Sequence, residues 1–118
     1  TPALRNVSLT APYGHNGAYP TLKSIIKHHL NPIKMNKNWK PEYANLPKVP
    51  WLEEIDFVTF SDKREQDRIL SSIDIQPIEL NDKEIDQLVS FLESLTGRSG
   101  NQRPLGKPDK VPSGLSID

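Results

Sequence analysis

An all-α fold of a few helices joined by long loops is what this sequence predicts. Two segments carry apolar residues at helical spacing behind a side chain able to cap a helix. A third, more polar segment has the same grammar. Residues 1–20 precede them. They hold Pro2, Pro12 and Pro20, together with Gly14 and Gly17 in Tyr13-Gly14-His15-Asn16-Gly17, and read as an ordered loop. Thr21 can cap a first helix in which Leu22, Ile25, Ile26, His29 and Leu30 recur until Asn31-Pro32 stops it. Residues 32–60 mix Pro, Asn, Lys and scattered aromatics without a sustained period, and read as a long wrapping connection. Ser61 or Asp62 can cap a second helix over about 62–72, with Ile69, Leu70 and Ile73 as its apolar residues.

The clearest element follows. Asn81 with Glu84 three residues later makes a capping box, and Ile85, Leu88, Val89, Leu92 and Leu95 form an apolar stripe that Gly97 ends as a C-terminal cap. From Arg98 on, Gly and Pro recur closely enough that residues 98–118 read as an extended tail without a core of its own. The expected organisation is thus one domain over 1–97 and a tail over 98–118. The closing helix oddly lacks an N-terminal helix to pack on.

Composition narrows the function classes. Val, Ile, Leu and Phe make up 31 of 118 residues, enough to form a core. Fifteen basic residues balance fifteen acidic ones, so net charge argues for neither nucleic acid nor an anionic membrane. No apolar run approaches the roughly 18 residues of a membrane span. The absence of cysteine excludes, for this chain, disulfides, thiolate metal sites, a cysteine nucleophile and covalent haem attachment through Cys-x-x-Cys-His.

All three histidines fall between positions 15 and 29. Projected from Leu22 at 100° per residue, His29 lies at about −20°, inside the arc of Ile25, Ile26 and Leu30, whereas His28 lies at about −120° beside polar neighbours. His29 is therefore expected to face the interior, as a core histidine bonded to a carbonyl or as a ligand of a metal or haem iron. His28 reads as a solvated group, and His15 as either a loop-ordering side chain or a site residue. Met35 reads as core filler, and Glu53, Glu54 and Asp56 as solvated carboxylates. No P-loop, nucleotide fingerprint, His-Glu-x-x-His or Ser-His-Asp order is present.

Thr1-Pro2-Ala3-Leu4-Arg5-Asn6-Val7, Leu9-Thr10-Ala11-Pro12-Tyr13-Gly14-His15-Asn16-Gly17 and the helix opening at Thr21-Leu22 resemble the C-terminal haem domain of bacterial dihaem cytochrome c peroxidases and the related methylamine-utilisation-type dihaem oxidases. Asp82 to Gly97 resembles that family's closing helix, and Val111-Pro112-Ser113-Gly114-Leu115 its C-terminal ending.

The resemblance implies a periplasmic enzyme with one haem c in each of two cytochrome-c-like domains. Residues 1–97 would be the C-terminal part of the second domain, with the Cys-x-x-Cys-His motif and first helix upstream of Thr1. It implies reduction of hydrogen peroxide to water by the full-length protein, the chain alone being inactive and contributing the electron-transfer haem site. The alternatives are a dihaem oxidase acting on a protein substrate and a non-catalytic electron-transfer or binding module.

In the family, the sixth iron ligand lies fourteen residues after the loop histidine and is commonly Met or Tyr; here that position is His29. The resemblance further implies calcium held by the backbone carbonyls of Thr10 and Pro12, with His15 and Arg5 near the haem edge, Arg5 facing a propionate or ordering the loop. Implied partners are the rest of the polypeptide with its N-terminal haem domain, a small cytochrome or copper-protein electron donor, and a second copy in a homodimer.

Overall fold

The computed structural model describes residues 3–98 and the pair Pro112–Ser113. Apart from Arg98 and that pair, the tail expected over 98–118 lies outside the described residues, as do Thr1, Pro2 and most of Val111–Leu115. The described residues are helical, as expected: five α-helices, three short 3-10 turns and a single isolated β-bridge.

The entry segment is an ordered loop. Asn6 sits in the left-handed region at φ 60°, which Asn tolerates better than most residues, and opens the 3-10 turn Val7–Leu9. Tyr13 and Tyr19 then exchange both backbone hydrogen bonds, at 2.7 and 3.0 Å, and close a loop around the turn His15–Gly17. Gly14, Asn16 and Gly17 all have positive φ, which is why the loop is built from Gly and Asn.

Helix α1 (Leu22–Leu30) carries the predicted cap. The Ser24 amide donates to Thr21 Oγ1 and the Thr21 amide to Ser24 Oγ. Asn31 both ends α1 and starts α2 (Pro32–Asn38), its side chain accepting from the Lys34 amide at 2.9 Å with Pro32 in the first turn. The structureless reading of 32–60 is corrected here, because α2 and the single-turn α3 (Val58–Ser61) lie within it. Helices this short show no readable period, and Pro32 opens a helix rather than merely ending one. Met35, read as core filler, is half-buried on α2.

Asp62 caps α4 (Lys63–Ser71), and the Asn81–Glu84 box caps α5 (Asp82–Ser94), both close to their expected bounds. Gly97 does not take the left-handed cap conformation expected of it. Its amide donates instead to Asn6 Oδ1 at 2.7 Å, and with the Asn6 amide to the Leu95 carbonyl and Ser8 to Thr96 it straps the entry segment to the end of α5. Helices α1 and α5 pack antiparallel, with Lys23 paired to Asp86 and Lys27 to Asp82. Between and beside them lie the buried core side chains Tyr19, Leu22, Ile26 and Ile85, each 5–8% exposed.

Candidate functional site

Helix α1 fixes two adjacent imidazoles about 100° apart. Leu22 and Ile26 turn toward α5, where Ile85 meets the core, and this anchors the rotation of the helix. His28 then turns toward the Tyr13–Tyr19 loop. Tyr19 Oη and His28 Nδ1 are 2.9 Å apart, with ring centroids at 5.0 Å, and His28 is half-buried rather than solvated as the projection implied. The projection ranked His28 by its helix neighbours and had no means of seeing Tyr19 arrive from the preceding loop. Desolvation, and secondarily the neighbouring His29, hold the His28 imidazolium below its ordinary pKa, while burial raises that of the Tyr19 phenol. Both changes favour the neutral forms of the two groups, whose hydrogen bond runs in either direction according to the imidazole tautomer.

His29 is exposed, which corrects the expectation that it faces the interior. Its angular position on the Leu22–Ile26 side is as projected, but cover by α5 stops before it. The last α1–α5 ion pair joins Lys27 to Asp82 at the start of α5, and beyond it the Leu30 carbonyl accepts from the Ile78 amide of the extended segment before α5. His29 Nδ1 and Nε2 have no hydrogen-bond partner among the described residues, and the ring stands edge-on to His28 with centroids 5.8 Å apart.

His15 is exposed in its turn and joins His28 in lining a cavity of about 320 Å³, with Tyr19, Ile25, Trp39 and Phe60 supplying most of its wall. Trp39 is held there by an indole N–H to the Ala18 carbonyl at 2.8 Å and by an edge-on contact with Phe60 at 5.0 Å. Sequence reasoning missed the roles of Tyr19, Trp39 and Phe60. Trp39 and Phe60 stand 21 residues apart across a segment without a period, so no local pattern pairs them.

Arg5 lies elsewhere. Its guanidinium approaches Gly97 at the C-terminal end of α5, whereas His29 lies past the N-terminal end, so about 20 Å of helix separates them. The structure does not bring Arg5 to His29. Thr10 and Pro12 are exposed, and their carbonyls accept no hydrogen bond among the described residues; Thr10 Oγ1 donates to the Val7 carbonyl. No group of three or more His, Asp or Glu able to hold a metal ion occurs among the described residues. Among the same residues, no helix is long and apolar enough to cross a membrane.

No protein-family model matches the chain. No solved structure matches it either. Among curated proteins it is similar to the methylamine utilization protein MauG of Paracoccus denitrificans (strain Pd 1222), with 36% identity over 102 residues. That alignment takes in 82% of this chain and 22% of the relative, so the chain spans about a fifth of the length of the curated protein it matches.

Proposed function

We propose that this chain is the C-terminal part of the second, cytochrome-c-like haem domain in a protein of the dihaem cytochrome c peroxidase and methylamine-utilisation oxidase family, and that His29 would be a ligand of its haem iron. The observation that carries the reading is the coincidence of two facts. Similarity to MauG runs over 102 residues, and the family's ligand position holds an imidazole that is exposed at the end of α1 and makes no hydrogen bond among the described residues.

The donor chemistry fits haem iron from this one side: a neutral imidazole is an ordinary iron ligand, and α1 holds it on a capped, packed helix. Covalent attachment cannot come from this cysteine-free chain and belongs to the rest of the polypeptide. When bound, the haem supplies one-electron exchange between ferric and ferrous iron. The chain's own residues orient the ligand. Tyr19 fixes the His28 ring, and the His28 ring limits the rotation of His29 beside it.

The proposed reaction of the whole protein is peroxide reduction by electrons from a small cytochrome or copper protein in the periplasm, this domain contributing the residues of an electron-transfer haem site. The second reading is a dihaem oxidase acting on a protein substrate, favoured by similarity to a methylamine utilization protein. Calcium at the Thr10 and Pro12 carbonyls belongs to the same proposal and is supported by the two carbonyls that accept no hydrogen bond among the described residues.

The test uses the intact protein as its gene encodes it. Two haems c, a bis-histidine near-infrared signature lost in His29→Ala, and peroxide-dependent oxidation of a reduced small cytochrome are expected. In His29→Met the potential should rise by more than about 59 mV, because a thioether favours ferrous iron where imidazole favours ferric. Two haems without peroxide turnover would move the assignment to the oxidase or an electron carrier. Absence of haem would end the family reading, an unchanged signature in His29→Ala would end the ligand role, and elemental analysis without calcium would remove the ion.

A further inference from the structure

The cavity beside α1 is separate from the His29 ligand position. Ile25 and His28 line it, and His29, one turn beyond Ile25 on the same side of α1, does not, so the cavity and the proposed ligand position are neighbours with different linings. Its volume of about 320 Å³ is at the lower end of the range for small-molecule sites, roughly 300–1,000 Å³, which suits a single ring rather than a large cofactor.

The wall is aromatic and uncharged. Tyr19, Trp39 and Phe60 contribute ring surface, Ile25 and Ile69 aliphatic surface, and no Lys, Arg, Asp or Glu lines the cavity among the described residues. An ionised ligand would leave water without gaining a counter-charge, which is costly. Trp39 cannot donate to a guest, because its indole N–H is bonded to the Ala18 carbonyl.

Two polar handles remain. Tyr19 Oη engages His28 Nδ1, and His28 Nε2 has no partner among the described residues. The side chain of Asn36, also in the lining, makes no hydrogen bond among those residues and offers an acceptor oxygen. A hydroxyl on a flat ring both donates and accepts, so it pairs with His28 Nε2 in either tautomer and with the Asn36 amide, while the ring lies against Trp39 and Phe60.

We propose that this cavity is a binding site for a small uncharged aromatic alcohol of the phenol class, held by His28 and Asn36 among the rings of Tyr19, Trp39 and Phe60. The site does not depend on the haem assignment.

Isothermal titration calorimetry on the intact protein, with phenol, toluene, cyclohexanol and benzoate as probes, tests it. Phenol should bind saturably, toluene and cyclohexanol several-fold more weakly, and benzoate at least tenfold more weakly. Ile69→Trp, made at a rim position already 39% exposed, should fill the cavity and weaken phenol at least tenfold with the circular dichroism spectrum unchanged. Asn36→Leu leaves the cavity open, so it should weaken phenol while sparing toluene, which keeps the proposal testable if the first variant fails to fold. No saturation by about 10 mM phenol, equal affinity for phenol and benzoate, or phenol binding unchanged in both variants would overturn it; the last result would mean that phenol binds elsewhere, the iron included.

Discussion

Gly17 shows how much a single position can dictate. Its φ is +69°, and a Cβ there would sit 2.9 Å from Pro12 Cγ and 3.0 Å from the Asn45 carbonyl, too close for either. Its own carbonyl accepts from the Asn45 amide at 3.0 Å, so the glycine couples the histidine loop to the segment that follows α2. Gly17→Ala carries both a conformational and a steric penalty, and should destabilise the intact protein by about 1–3 kcal/mol in a denaturant titration. A loss below half a kcal/mol would mean the loop relaxes freely and does not hold its shape by that contact. The requirement was legible, since Gly14-His15-Asn16-Gly17 is turn chemistry on its face. The environment of the neighbouring histidines was not. His29 had the right angle and the wrong burial, because an angle on a helix says which side a residue is on and nothing about where the opposing helix stops. His28 was misread for the converse reason, its partner Tyr19 coming from outside the helix.

Among the elements, α5 was the most legible because its information is local. Cap, box and stripe all lie within Asn81–Leu95, and the structure returns cap and box: the Glu84 amide donates to Asn81 Oδ1 at 3.0 Å and the Asn81 amide to Glu84 Oε2 at 2.8 Å, while of the stripe only Ile85 is buried. Asn81→Ala removes the acceptor that satisfies an orphan amide of the first turn and should cost about 1 kcal/mol, whereas Asn81→Ser, which keeps an acceptor, should recover most of it. Equal losses for the two variants would show that the box contributes nothing and that packing of Ile85 alone holds the helix end. The short helices are the contrasting case. Seven residues of α2 and four of α3 hold no full apolar repeat, and their starts depend on Asn31-Pro32 and on contacts among Trp39, Phe57 and Phe60, which are tertiary facts.

For the whole molecule, apolar composition and apolar burial part company. Val, Ile, Leu and Phe supply 31 residues, but the buried core of the described residues takes in only Leu22, Ile26 and Ile85 of these, with Tyr19, and none is completely enclosed. Leu88 and Phe91 on α5, Leu4 and Leu9 in the entry segment, and Ile75 and Ile78 before α5 remain substantially exposed. Each fully buried side chain contributes about 1.5–3 kcal/mol, and conformational entropy opposes folding over every ordered residue. A core of four is therefore too small to make a cooperative domain unaided, and the exposed Leu and Phe on α5 are surface that a larger protein would have to cover. The expected outcome is that the 118-residue chain produced alone retains helical circular dichroism, binds a hydrophobic dye and melts over a broad range. The intact protein should melt cooperatively and leave the dye unbound. Leu88→Ser with Phe91→Ser gives the internal control: in the isolated chain it should reduce dye binding with little effect on helicity, and in the intact protein it should lower the melting temperature, because there the same side chains would be buried. If the isolated chain melts in one sharp transition, with calorimetric and van't Hoff enthalpies equal, then the four-residue core suffices and the exposed face of α5 needs no cover.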